Sequence, residues 1–363
     1  MSLSVGMIGL PNVGKTTLFN ALTQVGADAS NYPFCTKDQN IGMAQVPDTR
    51  LERLNELLEP KECTPAFIEF IDIAGLVRGA SHGEGLGNRF LGHIREVDAV
   101  LQVVRCFEDE NVTHVDGAVD PVRDAEVVET ELLLADLDTV ERAIHKQAKS
   151  VRAGEKDAQK TLDVLEKIGE ALEHGTAARA LKLSEEEMEL VREYAFLTAK
   201  PMLYVANVGE DDVAGASESV RRLKEAVGSE KVLSISAGIE EEIGELEDEA
   251  ERKAFLADLG LEETGLNRIV WASYRLLNLI TFYTIANEKL RAWQVVEGTG
   301  AQEAAGKIHT DMEHGFIRAE VMTFEDVARY KTMGELHRHG RVRTEGKEYV
   351  MREGDVAQFL FHV

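Results

Sequence analysis

Between an apolar run, SVGMIGL (Ser4–Leu10), and a stretch with helical spacing, KTTLFNALT, the chain reads G-x-x-x-x-G-K-[ST] at Gly9, Gly14, Lys15 and Thr16. Strand, loop and helix in that order form the context in which this pattern marks a phosphate cradle, and they set the chain in the α/β class. Glycine permits the backbone angles such a loop needs, and the helix N-terminus near Lys15 adds partial positive charge. Asn12, Val13, Gly14, Lys15, Thr16 and Thr17 are therefore candidate phosphate-binding residues. Lys15 would reach the β- and γ-phosphates as a catalytic cation, and Thr16 would ligate Mg²⁺.

A metal beside phosphates needs a carboxylate. The segment PAFIEFIDIAG supplies one, since an apolar strand (Ala66–Ile71) runs into D-x-x-G at Asp72–Gly75. Asp72 is expected to hold Mg²⁺ through water, and the Gly75 N–H would report on the γ-phosphate. Between the two motifs lies NYPFCTKDQNIG, polar and turn-rich, where Thr36 is placed to close on the metal and the γ-phosphate. An ordinary loop hydroxyl is the alternative for Thr36.

The base is argued from a later strand, KPMLYVAN, which ends in Asn207-Val208-Gly209-Glu210. Guanine readers usually carry N-K-x-D there. Val208 removes the lysine stem that beds the ring, and Glu210 is one methylene longer than Asp, so discrimination for guanine should fall. Adenine offers an N6 donor that Asn207 or nearby carbonyls would meet. Ser236 and Ala237, after the strand KVLSIS, form the second base-side loop. ATP is the expected nucleotide, with GTP as the alternative.

Composition limits the setting. Of 363 residues 44% are hydrophobic, enough for a sizeable core, and the net charge is -25. Such a charge repels nucleic acid, so DNA is not an expected partner and any RNA contact needs a local basic patch. Cys35, Cys63 and Cys106 are widely spaced without a C-x-x-C pair, as in a reducing cytoplasm. No charged leader opens the chain, and no apolar run nears the roughly 20 residues that span a bilayer, so no membrane association is expected.

From Val127 to about Phe196 the chain turns helical and highly charged, with Leu133, Leu137, Val140 and Ile144 at three- and four-residue spacing. This predicts an antiparallel helical pair, either protruding as an arm or packed flat on the sheet. The sheet resumes at Pro201 and closes with the helix Gly265–Leu277. The acidic run Glu240–Glu263 reads as a solvated helix face. After Asn278 short turn-punctuated strands predict a separate β-rich domain. It holds a basic island, Lys331, His337, Arg338, His339, Arg341, Arg343 and Lys347, suited to RNA phosphates or simply solvated.

The segments GLPNVGKTTLFNALT, NYPFCT, DIAGLVRGASHGEGLGNRFLGHIREVDAV, NVGE and EAAGKIHTDMEHGFIRAEV together resemble the Obg-like ATPase (YchF) subfamily of translation-factor-related P-loop NTPases. The likeness runs from Val5 nearly to the last residue. It implies a Ras-like P-loop NTPase domain in two parts (1–126 and 198–277), an inserted coiled-coil-like helical arm (127–197), and a C-terminal β-grasp-like TGS domain (278–363). It also implies slow ATP hydrolysis and a ribosomal partner, contacted through the TGS domain and the arm. Ras-like enzymes place Gln after D-x-x-G, whereas Leu76 stands here and cannot orient water. His82, in the glycine-rich RGASHGEGLGN, is the candidate for that task, with a surface loop histidine as the alternative. Asn12 resembles the asparagine of potassium-activated relatives, which implies a K⁺ near it; turn geometry alone is the other reading. The competing function is a ribosome-binding scaffold, or a GTPase, whose nucleotide is mainly structural.

Overall fold

The computed structural model describes residues 3–24, 40–75, 79, 86–246 and 248–362. Among the described residues the strands are β1 (Ser4–Ile8), β2 (Ile41–Gln45), β3 (Glu62–Thr64), β4 (Phe67–Asp72), β5 (Ala99–Arg105), β6 (Met202–Asn207), β7 (Val232–Ile235), β8 (Leu279–Ala286), β9 (Lys289–Val296), β10 (Phe316–Thr323), β11 (Arg343–Glu345) and β12 (Asp355–Phe361). The helices used below are α1 (Lys15–Gln24), α2 (Thr49–Leu58), α3 (Leu86–Glu96), α4 (Pro121–Ala153) and α5 (Ala158–Glu173). The chain divides into two compact units, one of residues 1–43 and 69–269, the other of 44–68 and 270–363.

The first unit is built on a six-stranded sheet of order β2-β4-β1-β5-β6-β7. The pairs β1–β4, β1–β5, β5–β6 and β6–β7 are parallel. Every residue of β1, β5 and β6 is buried, as continuous apolar runs between covered faces require. Helices complete the α/β class read from the sequence.

The helical insertion starts earlier than its periodicity alone suggests. Asp120 accepts from the Arg123 N–H at 3.4 Å as N-cap, Pro121 takes the first helical position, and α4 runs for 33 residues to a left-handed cap at Gly154. Near its start it lies on β5, where Gln102 Nε2 donates to the Ala125 carbonyl at 3.4 Å. Further along, Val140 and Ala143 pack with Val164, Leu165, Ile168 and Leu172 of α5, joined by Leu133, Leu137 and Ile144. The spaced apolar stripe thus forms the arm's own core. Asp136 clasps the returning chain, accepting from the Leu197 N–H at 2.9 Å and from the Thr198 N–H and hydroxyl, each at 2.7 Å. Burial pushes its carboxyl above the usual range, although those donors pull the other way.

One acidic residue departs from expectation. Glu240 belongs to the run read as a solvated face, yet it is 2% exposed. Its carboxylate accepts from the Gly265 N–H at 2.6 Å and the Leu266 N–H at 3.3 Å, at the start of helix Gly265–Leu276. Unpaired donors at a helix start need an acceptor, and Glu240 supplies it. Desolvation raises its pKa.

The second unit carries the sheet β11-β10-β12-β8-β9-β3, mixed in direction. Pairing is antiparallel in β8–β9, β10–β11 and β10–β12, and parallel in β12–β8 and β3–β9. The helix Ala301–Ile308 buries Ala301, Ala304 and Ala305 against Phe282, Val295, Val321 and Phe359, a grasp of one helix by a sheet. Residues 44–68 are bound in by a polar chain: Asp48 caps α2, Tyr283 donates its hydroxyl to Asp48 at 2.7 Å, Arg50 pairs with Glu353, and Glu353 accepts from the Thr281 N–H at 2.7 Å.

Candidate functional site

Four of the loops that leave the C-terminal ends of parallel strands in the first unit, the edge at which α/β sheets bind ligands, carry the candidate residues. They follow β1 (residues 9–14), β4 (73–75), β6 (208–210) and β7 (Ser236).

The first loop is fixed by backbone geometry. Asn12 and Gly14 adopt positive φ angles of 62° and 84°. A Cβ on Gly14 would also collide with Asn207 Nδ2, so glycine is required twice over. At Gly9 a Cβ would fall 2.6 Å from the Val103 carbonyl oxygen of β5, which keeps the loop tight on the sheet. Lys15 then opens α1, and the Leu18 N–H donates to the Gly14 carbonyl at 3.0 Å.

Lys15, Thr16 and Asp72 converge. Lys15 Nζ pairs with Asp72 Oδ1, and Thr16 Oγ1 donates to Asp72 Oδ2 at 3.1 Å. The lysine and aspartate side chains are 9% and 14% exposed, so their charges are weakly screened. Phosphates carry more negative charge than one carboxylate and would compete for Lys15. The hydroxyl and carboxylate beside it are hard oxygen donors of the type Mg²⁺ takes. No cluster of three or more His, Cys, Asp or Glu gathers among the described residues. Gly75 lies against the loop, since a Cβ there would be 3.4 Å from the Pro11 nitrogen. Thr36, Leu76, His82 and Cys35 lie outside the described residues.

The Asn207 carboxamide is engaged at both ends: Nδ2 donates to the Val13 carbonyl at 2.8 Å and Oδ1 accepts from the Ala237 N–H at 3.0 Å. It is 4% exposed, and these buried bonds tie the loop after β1 to the loop after β7. Val208 is buried, and its N–H donates to the Ile235 carbonyl at 2.9 Å. Glu210 is exposed but reaches the loop after β7, its Oε1 3.3 Å from where a Cβ on Gly238 would stand. The strand-end residues 207–210 and Ser236–Gly238 therefore form one wall.

Sequence reasoning missed Arg105. This buried guanidinium at the end of β5 donates to the carbonyls of Phe107, Asp109 and Val112 at 3.1, 3.2 and 2.9 Å and stands 4.5 Å over the Phe107 ring. On the other side of the same loop, Asn12 Nδ2 donates to the Thr113 carbonyl at 3.1 Å. His114 then accepts at Nδ1 from the Asp116 N–H (3.1 Å) and donates from Nε2 to Asp124 (2.7 Å), fastening the loop to α4. Only an arginine inside an apolar strand hinted at this arrangement. The neighbouring Cys106 thiol is pushed up to about 12 by burial, so it stays protonated and inert.

In the second unit the basic island is less free than its sequence implies. Arg338 pairs with Glu335, Arg341 with Asp326, and Arg343 with Glu345 and Asp355. His339 stacks on Tyr330 at 4.5 Å. Residues 333–338 are helical, which returns Glu335 to the side of Arg338 three positions on.

Residues 4–136 match the family model described as 50S ribosome-binding GTPase, and residues 279–362 match the YchF-GTPase_C model, described as a protein of unknown function (DUF933). The whole chain is 51% identical over 365 residues to the ribosome-binding ATPase YchF of Escherichia coli O157:H7, covering 100% of both. The chain belongs to the YchF family. The ribosome-binding ATPase YchF of Bacillus subtilis is 50% identical over 367 residues, again with 100% of both covered. Among solved structures, the Schizosaccharomyces pombe YchF GTPase superposes with a TM-score of 0.89 at 36% identity, covering 99% of this chain and 98% of that one. YchF proteins are thus described as ATPases in these bacteria and as a GTPase in the yeast.

Proposed function

We propose that the chain is a magnesium-dependent ATPase that binds the ribosome and switches with its nucleotide state. The observation carrying the choice of base is the wall at 207–210. Asn207 keeps the loop-tying role of the N in N-K-x-D, while buried Val208 offers no stem to bed a purine and Glu210 stands in place of the guanine-reading Asp. The bacterial relatives described as ATPases support the same reading.

In this reading Lys15 leaves Asp72 for the β- and γ-phosphates, backbone N–H groups of residues 12–17 hold them, and the Gly75 N–H senses the γ-phosphate. Thr16 and Asp72 hold Mg²⁺, with Thr36 as a further ligand, and the metal when bound supplies charge that stabilises phosphoryl transfer. Leu76 cannot orient water, so turnover is slow and His82 takes that role. K⁺ near Asn12 rests on family resemblance alone, and turnover compared in KCl and NaCl at equal ionic strength tests it. Ribosomal contact is assigned to the TGS domain and the arm, and the protein to the cytoplasm. No helix among the described residues is long and apolar enough to cross a membrane.

Competition of ATP and GTP against a fluorescent nucleotide tests the central choice. Tighter ATP binding, with phosphate release lost in Lys15→Ala, is the expected result. Equal or guanine-selective affinity overturns it, and release at the no-enzyme rate would favour the scaffold reading.

A further inference from the structure

The charges on α4 are sorted along its length. Residues 121–141 carry seven acids and one base, Arg123, whereas residues 142–153 carry four bases, Arg142, Lys146, Lys149 and Arg152, and no acid. These four recur at spacings of three and four, so they share one face of the helix. It is the face opposite Val140, Ala143 and Ile144, which pack with α5. Lys146, Lys149 and Arg152 are exposed, as is Lys156 in the turn between α4 and α5.

Helix stability does not account for this arrangement. The macrodipole favours cations only within the last turn, and Arg142, Lys146 and Lys149 lie before it. Like charges at such spacings repel one another. Arg142 has Asp138 to answer it, but Lys146, Lys149, Arg152 and Lys156 form no ion pair among the described residues. The basic island of the second unit differs, since Arg338, Arg341 and Arg343 are all paired there.

Reach isolates the cluster. Measured from Ala125, which rests on β5 through Gln102, the end of α4 at Ala153 is about 42 Å along the helix axis. Charges are screened over about 8 Å at physiological salt, so acids around the sheet contribute almost nothing there. Locally, residues 142–160 hold six lysines and arginines against two acids, Glu155 and Asp157. The N-terminus of α5, which the Asp157 side chain does not cap, adds partial positive charge at the same turn.

We propose that the tip of the arm is a docking surface for RNA phosphates, with Lys146, Lys149, Arg152 and Lys156 as the contact residues. This rests on the ribosome reading above and gives it an address. Exposed, unpaired cations on long side chains suit a phosphate backbone, whose regular charge needs no shaped pocket. Such contacts fix position on the RNA without reading its bases.

The test is co-sedimentation of the full-length chain with intact ribosomes, and separately its binding to deproteinised ribosomal RNA, across about 50 to 200 mM KCl. The variant combines Lys146→Gln, Lys149→Gln, Arg152→Gln and Lys156→Gln, which keep helix propensity and remove charge. Expected is an affinity loss of about tenfold or more, with a salt dependence shallower by about three log units per log unit of salt, on ribosomes and RNA alike. Melting temperature and ribosome-free phosphate release should stay at parental values. Should the combined variant fail to fold, Glu155→Gln decides, since removing an acid from the tip should tighten binding by up to about fivefold. Parental affinity and slope in the combined variant, or unaltered binding by Glu155→Gln, overturn the proposal. A loss on ribosomes but not on deproteinised RNA makes the partner a ribosomal protein and overturns it too. Parent that fails to sediment with ribosomes at the lowest salt overturns the ribosome reading itself, and this proposal with it.

Discussion

Asn207 lies across the first nucleotide loop, its Nδ2 on the Val13 carbonyl at 2.8 Å in the space that a side chain on Gly14 would fill. Two residues 194 positions apart thereby set the shape of one cradle.

Because both ends of the Asn207 carboxamide are engaged, Asn207→Ala leaves the Val13 carbonyl and the Ala237 N–H buried without their partner. Each orphaned group costs about 1–3 kcal/mol, so denaturant unfolding should show a loss of about 2–6 kcal/mol. ATP and GTP affinities should fall by a similar factor. A change in their ratio would mean that Asn207 reads the base.

Restoring the guanine pattern with Val208→Lys and Glu210→Asp should move preference toward GTP, by roughly tenfold or more in the GTP-to-ATP affinity ratio. The single Glu210→Asp change should move it less. Isothermal titration with both nucleotides measures the shift, and an unmoved ratio places base selection elsewhere.

The Asp136 carboxyl is raised from its ordinary 3.8, first by burial. The folded state therefore holds this proton more tightly than the unfolded chain does. Its contribution to stability is fully present below pH 3.8 and is lost as pH rises through the raised folded value. Unfolding free energy of the parent minus that of Asp136→Asn should decline across this window and level off above it. A difference that grows with pH would contradict the assignment.

If the basic island meets ribosomal RNA, Arg338 must exchange Glu335 for phosphate. Glu335→Gln frees Arg338 and relieves His339, and should tighten ribosome co-sedimentation at low salt by up to about fivefold, the worth of one exposed ion pair. Unaltered binding would remove the island from the contact surface.

The phosphate loop, D-x-x-G and the arm's apolar stripe were legible because each is a local pattern tied to one backbone geometry. Gly14 with Lys15, and Leu133 through Ile144, announce themselves within a few residues. Asn207 and Glu240 were not legible, because each is a polar side chain whose partners are backbone groups far off in sequence. Nothing near Glu240 distinguishes it from the solvated glutamates beside it. The pairing of Glu62, Cys63 and Thr64 with Lys289, Leu290 and Arg291 was equally silent, since a short parallel partnership leaves no turn signal.

That last pairing has a consequence during synthesis. β3 and α2 leave the ribosomal tunnel long before β8 and β9 exist, so the second unit stays unfinished until translation nears its end. Meanwhile Leu51 and Leu54, buried once folding is complete, lack the C-terminal segment of their unit. A chain cut at residue 269 would therefore carry an orphaned, sticky segment within its N-terminal portion, prone to aggregation or capture by chaperones.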